Sequence, residues 1–139
     1  MPEATHQHVH IYSLPCGLTQ PLTAADLQSS RFDISFEQAL ADLELLPRMF
    51  AELDGSFVWG GQVDTEHAQM EALRWQIDGM LYDRNGHVIR VELKGNAPRH
   101  FWKQVLTVFG WPKQPLIAHH VDQQRFVQLT DFLSYAELA

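Results

Sequence analysis

The stretch WQIDGMLYDRNGHVIRVELKG, residues 75–95, holds three side chains that could act jointly: Asp78, Glu92 and Lys94. Two carboxylates can share a hard divalent ion. An ammonium beside them can hold a water or a phosphate. Such a set suits metal-assisted attack at phosphorus, provided that all three share one face.

The elements around them must supply that face. Residues 73–95 alternate apolar and polar as a half-buried strand pair does, and Asp83-Arg84-Asn85-Gly86 has turn chemistry. A two-residue turn on Asn85-Gly86 sets Asp78 opposite Leu93 and mixes polar with apolar on both faces. A three-residue loop, Arg84 to Gly86, sets Asp78 directly opposite Glu92 and sorts the faces. Trp75, Ile77, Leu81, Ile89, Val91 and Leu93 then share one side. Gln76, Asp78, Tyr82, Arg90, Glu92 and Lys94 share the other, with Met80 and Val88. A one-residue slip destroys the sorting, so burial predicts the three-residue loop. Opposed acids with Cβ atoms ~5 Å apart repel unless a cation separates them or one is protonated.

Upstream, Ser35 and Gln38 form a capping box for a helix through DISFEQALADLELLPRMFAEL. Phe36, Leu40, Leu43, Leu46 and Phe50 make its buried stripe, and Pro47 kinks or splits it. SFVWGG reads as a first strand. After the hairpin, Asn96 caps a helix with Pro98 in its first turn and Gly110 as its stop, and Phe101, Val105, Val108 and Phe109 line its apolar side. PLIAHHV and RFVQLT read as strands, and Thr130-Asp131 opens a last helix. In the first 34 residues, VHIYSLP reads as a short strand and LTAADL as a helical turn capped by Thr23. The expected order from residue 35 is helix, three strands, helix, two strands, helix.

Asp78, followed fourteen residues later by Glu92-Leu93-Lys94 on the next strand, resembles the D…(D/E)xK signature of the restriction-endonuclease-like, or PD-(D/E)XK, nuclease superfamily. The resemblance implies an α/β fold (α+β, mixed sheet) with an αβββαβ core over 35–121, an added strand and helix over 122–139, and residues 1–34 as an extension of one domain. Ile77 stands where the family name has proline. The resemblance further implies that Asp78 and Glu92 bind Mg²⁺ (or Mn²⁺) with the Leu93 carbonyl, while Lys94 orients the attacking water. Gln76, Arg90, Asn96, His100 and Gln104 become substrate-binding candidates, Gln104 because KQVLTVFGWPKQPLIAHHV resembles the family's helix-to-strand segment. Glu37, Glu44 and Glu52 compete for the role of the first-helix acid. The implied activity is phosphodiester hydrolysis of DNA or RNA. The alternative is a non-catalytic nuclease-like fold serving as an interaction or structural module.

Composition bears on that choice. Ten Lys plus Arg against seventeen Asp plus Glu leave a net charge of −7, which repels phosphate backbones and excludes a broad nucleic-acid-coating role. Arg74, Arg84, Arg90, Lys94, Arg99 and Lys103 crowd around the hairpin and could form a local basic patch. No apolar run is long enough to span a bilayer. One cysteine, Cys16, excludes an internal disulfide and offers no placed base for a nucleophile, so a cytoplasmic protein is expected; a homodimer is allowed. His6, His8 and His10 alternate, so in a strand they share a face and could chelate a transition metal. His119 and His120 must face opposite ways, one of them as a satisfied core histidine. Trp59, Trp75, Trp102 and Trp111 read as core or rim aromatics.

Overall fold

The computed structural model describes residues 6–14, 27, 30–63 and 73–135. The alternating segments become seven strands and the helical stripes three helices. In chain order these are β1 (Gln7–Ser13), α1 (Phe36–Glu44), β2 (Met49–Ala51), β3 (Ser56–Val63), β4 (Leu73–Arg84), β5 (His87–Asn96), α2 (Arg99–Val108), β6 (Leu116–His120), β7 (Arg125–Gln128) and α3 (Leu129–Tyr135). The strands form one sheet in the order β2-β3-β4-β5-β1-β6-β7, and every ladder is antiparallel. The class is α+β, as expected, but the sheet is wholly antiparallel rather than mixed. The amino-terminal strand β1 lies in the middle of it, between β5 and β6.

One face of the sheet carries the core. Val9, Ile11, Trp59, Trp75, Ile77, Leu81, Val91, Leu93 and Ala118 are buried there against Ala39, Leu40 and Leu43 of α1, Trp102, Val105 and Leu106 of α2, and Phe132 of α3. Each fully buried large side chain is worth ~1.5–3 kcal/mol relative to leaving it exposed. Among the described residues no helix covers the other face, so polar residues alternate with the core residues along β1, β4 and β5. The edge strands β2 and β7 are short, which limits edge-to-edge pairing.

Three local expectations fail. Helix α1 stops at Glu44 rather than running through Pro47, because proline cannot donate the next backbone bond. Arg48 then takes a left-handed φ of 64°, and Met49–Ala51 pairs with β3. Phe50 therefore leaves the buried stripe and stands 73% exposed. Ser35 does cap α1, accepting from the Gln38 amide at 3.1 Å, but the Gln38 side chain bonds Asp42 instead of closing the box. Likewise Asn96 stays in β5 opposite Gln76, and Pro98 precedes α2 with no side-chain cap bond. On α2 the buried residues are Trp102, Val105 and Leu106, with Phe101 and Val108 partly buried.

The hairpin register differs from expectation by two residues. Arg84 pairs with His87, so the loop has two residues, Asn85 (φ 54°) and Gly86 (φ 83°), both in the left-handed region that a type I′ turn requires. That turn alone would mix the faces. A bulge prevents it: Asp83 pairs with Val88 but Tyr82 pairs with Arg90, leaving Ile89 extra on β5. The sorting is restored, and Val88 is buried in place of Ile89. Asp78 consequently faces Lys94, and Glu92 faces Met80. The two acids share a face as diagonal neighbours, not as a directly opposed pair.

Candidate metal centre on the open face

The register decides what Glu92 meets. Its Cα partner on the other side is His10 of β1, and His8 lies opposite Lys94. Residues two apart on a strand share a face, so His8 and His10 both point at the carboxylate. His8 Nε2 lies 2.6 Å from Glu92 Oε2, and His10 Nε2 lies 3.7 Å from the same oxygen. The three ligand atoms all fall within 4.8 Å of one another. Atoms bound ~2.1 Å from a tetrahedral ion sit ~3.4 Å apart. The His10–Glu92 distance is already close to that spacing, and an ion held there would require the His8–Glu92 hydrogen bond to open.

The surroundings prepare the ligands. Tyr82 donates its hydroxyl to Glu92 Oε1 at 3.2 Å, which leaves Oε2 turned to the histidines. The His8 hydrogen bond is the main influence holding the Glu92 carboxyl below its ordinary pKa, so it is ionised. Burial holds the His10 imidazole below its ordinary pKa and outweighs the opposing pull of Glu92; Arg90, His8 and His119 add to the lowering. A neutral imidazole is the form that binds metal. Side-chain exposures of 20–28% leave the three ligands reachable from solvent.

Two imidazole nitrogens and one carboxylate oxygen form a donor set that suits borderline divalent metals such as Zn²⁺, Fe²⁺ or Co²⁺ better than Mg²⁺, which prefers oxygen. Three protein ligands leave a position for water or substrate, the arrangement of catalytic rather than structural zinc.

Comparison with family models, curated proteins and solved structures finds no match to this chain. The site must be read from its own geometry.

Glu92 and Lys94 lie on the open face with Asp78, as expected, but Asp78 stands apart from the cluster. Its carboxylate accepts from Gln76 Nε2 at 2.8 Å. Leu93 buries its side chain on the helix face. Arg90 lies over the Tyr82 ring, 4.2 Å from its centroid. Gln76 and Asn96, cross-strand partners, line a cleft toward β2. His100 and Gln104 are exposed on α2, in the layer on the far side of the sheet, and the His100 ring rests against Phe101. Glu37 and Glu44 are exposed on α1, also in that layer, and Glu52 is exposed between β2 and β3. None of these acids joins Glu92.

The six basic residues do not form one patch. Arg74, Arg90 and Lys94 belong to the open face and Arg84 to the hairpin end. Arg99 instead donates to the Leu133 and Ser134 carbonyls at the end of α3. Of the remaining histidines, His120 is buried against the Gln7 side chain at 3.2 Å and His119 packs on Phe126, facing opposite ways as adjacent strand residues must. Cys16 and Thr23 lie outside the described residues. Alternation of His8 and His10 was the visible signal for chelation. Its missing half was Glu92, eighty-two residues away from His10 and joined to it by a strand pairing that no local pattern encodes.

Proposed function

We propose that this chain is a metal-dependent hydrolase of phosphate esters, with phosphodiesters of DNA or RNA as the substrate class. The observation that carries the reading is the His8–His10–Glu92 cluster on an uncovered sheet face, beside Lys94. A divalent ion there would lower the pKa of its bound water and neutralise charge developing on a phosphoryl oxygen. Lys94, opposite both His8 and Asp78, supplies a compact ammonium where an anionic oxygen would lie. On this reading the ion held is a borderline metal or Mn²⁺ rather than Mg²⁺. On this reading the fold is a variant restriction-endonuclease-like core, with four strands rather than three between α1 and α2 and two histidines in the ligand role of Asp78.

The net charge of −7 favours a second reading, a module that binds metal and contacts partners without cleaving anything. Incubation with labelled DNA and RNA, and with bis(p-nitrophenyl) phosphate, in Mg²⁺, Mn²⁺ or Zn²⁺ separates the two. Hydrolysis that needs metal, vanishes in Glu92→Gln and His10→Ala, and falls in Lys94→Ala supports the enzyme. Metal binding without turnover on any of these substrates leaves the module reading.

A further inference from the structure

At the β2 end of the same sheet lies a cleft of about 750 Å³, within the ~300–1,000 Å³ usual for small-ligand sites. Among the described residues its wall includes Arg48 and Arg74 and no acidic side chain. Among the described residues neither arginine has a carboxylate partner. Arg48 donates Nε to the Gly60 carbonyl at 3.3 Å, which fixes its guanidinium over Gly61. A Cβ built on Gly61 would meet Arg48 Nη2 at 2.8 Å and Trp75 Nε1 at 3.2 Å. The missing side chain of Gly61 thus leaves the room in which the Arg48 guanidinium sits.

Apolar surface stands beside the arginines: Phe50 is 73% and Val58 is 43% exposed, and they are cross-strand partners. Both are conspicuous on a face whose other members are polar or half-buried.

We propose that this cleft binds a small organic anion whose acidic head meets Arg48 and Arg74 while a flat apolar body lies on Phe50 and Val58. Guanidinium donors take carboxylate and phosphate oxygens alike. The site stands independently of the metal cluster, which lies along β5 beyond Lys94.

The test is fluorescence titration with 1-anilinonaphthalene-8-sulfonate, set against its uncharged counterpart N-phenyl-1-naphthylamine. Saturable binding to one site is expected. Arg48→Gln, Arg74→Gln and Gly61→Ala, which displaces the Arg48 guanidinium, should each weaken it at least tenfold, and the uncharged dye should bind at least tenfold less tightly than the anion. Displacement by benzoate identifies a carboxylate head and displacement by adenosine monophosphate a phosphate head; either supports the site. Unchanged affinity in folded Gly61→Ala and Arg74→Gln, equal binding of the uncharged dye, or displacement by inorganic phosphate but neither organic anion would overturn it. Zn²⁺ affinity should be unchanged in these variants, which separates failure here from failure of the metal reading.

Discussion

Gly79 sits in β4 between Asp78 and Met80, opposite Leu93 on one side and Phe57 on the other. A Cβ added there would lie 2.0 Å from Phe57 Cζ, and 2.3 and 2.4 Å from the neighbouring ring carbons. Carbon atoms in contact sit ~3.5–4.0 Å apart, so the ring must retreat by ~1.5 Å. Phe57 is 2% exposed inside the core and has no open space to enter. Overpacking of this kind costs ~1–3 kcal/mol, and the stiffer unfolded chain returns ~0.4–1 kcal/mol. Gly79→Ala should therefore lose ~1–2 kcal/mol in urea unfolding, or roughly 3–8 °C in Tm for a chain of this size. Phe57→Leu removes the clashing ring edge and should cost ~1–2 kcal/mol alone. Combined with Gly79→Ala it should cost at least ~1 kcal/mol less than the two separate losses together. A Gly79→Ala protein as stable as the parent, or strictly additive losses in the double variant, would refute this view of how β4 is held against its neighbours beside the site.

The corrected register separates the two acids by function. Glu92→Gln should weaken Zn²⁺ binding by ~100-fold or more, since even partners of the ligands are worth ~10–100-fold, whereas Asp78→Asn should change it less than ~3-fold; equal effects in calorimetry would restore Asp78 to the site. Glu92 and His10 both have depressed pKa values in the fold. Folding thus excludes a proton that the unfolded chain would take up, below about 6.5 for His10 and about 4.5 for Glu92, and with a chelator present stability should fall as pH drops through those ranges. His10→Gln should flatten the upper part of that slope; a Tm–pH curve unchanged between pH 7.5 and 5.5 would count against the buried neutral imidazole. The bulge makes a local prediction too. Val88→Ala, at a fully buried position, should cost ~1 kcal/mol or more beyond Ile89→Ala at its half-buried neighbour, and the reverse ranking would place the bulge elsewhere.

Much of the fold was legible locally. Strand-like runs marked β1, β3, β4, β5, β6 and β7; Gly110, in the left-handed region at φ 100°, ends the α2 segment; and the face-sharing of Asp78, Glu92 and Lys94 followed from the sorting of apolar from polar residues between the two faces. Register was not, because two turns compete for Asp83–Gly86 and the deciding feature is a bulge at Ile89. No residue type announces it; only burial of Val88 beneath the Phe32 and α1 segments selects it, with the Phe32 amide bonding the Val88 carbonyl at 2.8 Å and the Phe36 amide the Gly86 carbonyl at 2.9 Å. The end of α1 was half-legible: Pro47 announced a break, but the strand after it exists only because β3 offers an open edge. Least legible was the place of β1. Seven residues near the start of the chain insert between β5 and β6, and this non-local pairing gives Glu92 two imidazoles in place of an opposed acid.

The most direct test follows the imidazole nitrogens themselves. Zn²⁺ titrated into ¹⁵N-labelled protein, with long-range ¹H–¹⁵N spectra of the histidine rings, should shift Nε2 of His8 and His10 together and saturate at one equivalent, while His87, His119 and His120 hold their positions. The same titration of Glu92→Gln should lose that saturation. Rings of His8 and His10 that stay unmoved while other histidines respond, or that respond only to a large excess of metal, would contradict a three-ligand centre on the open face.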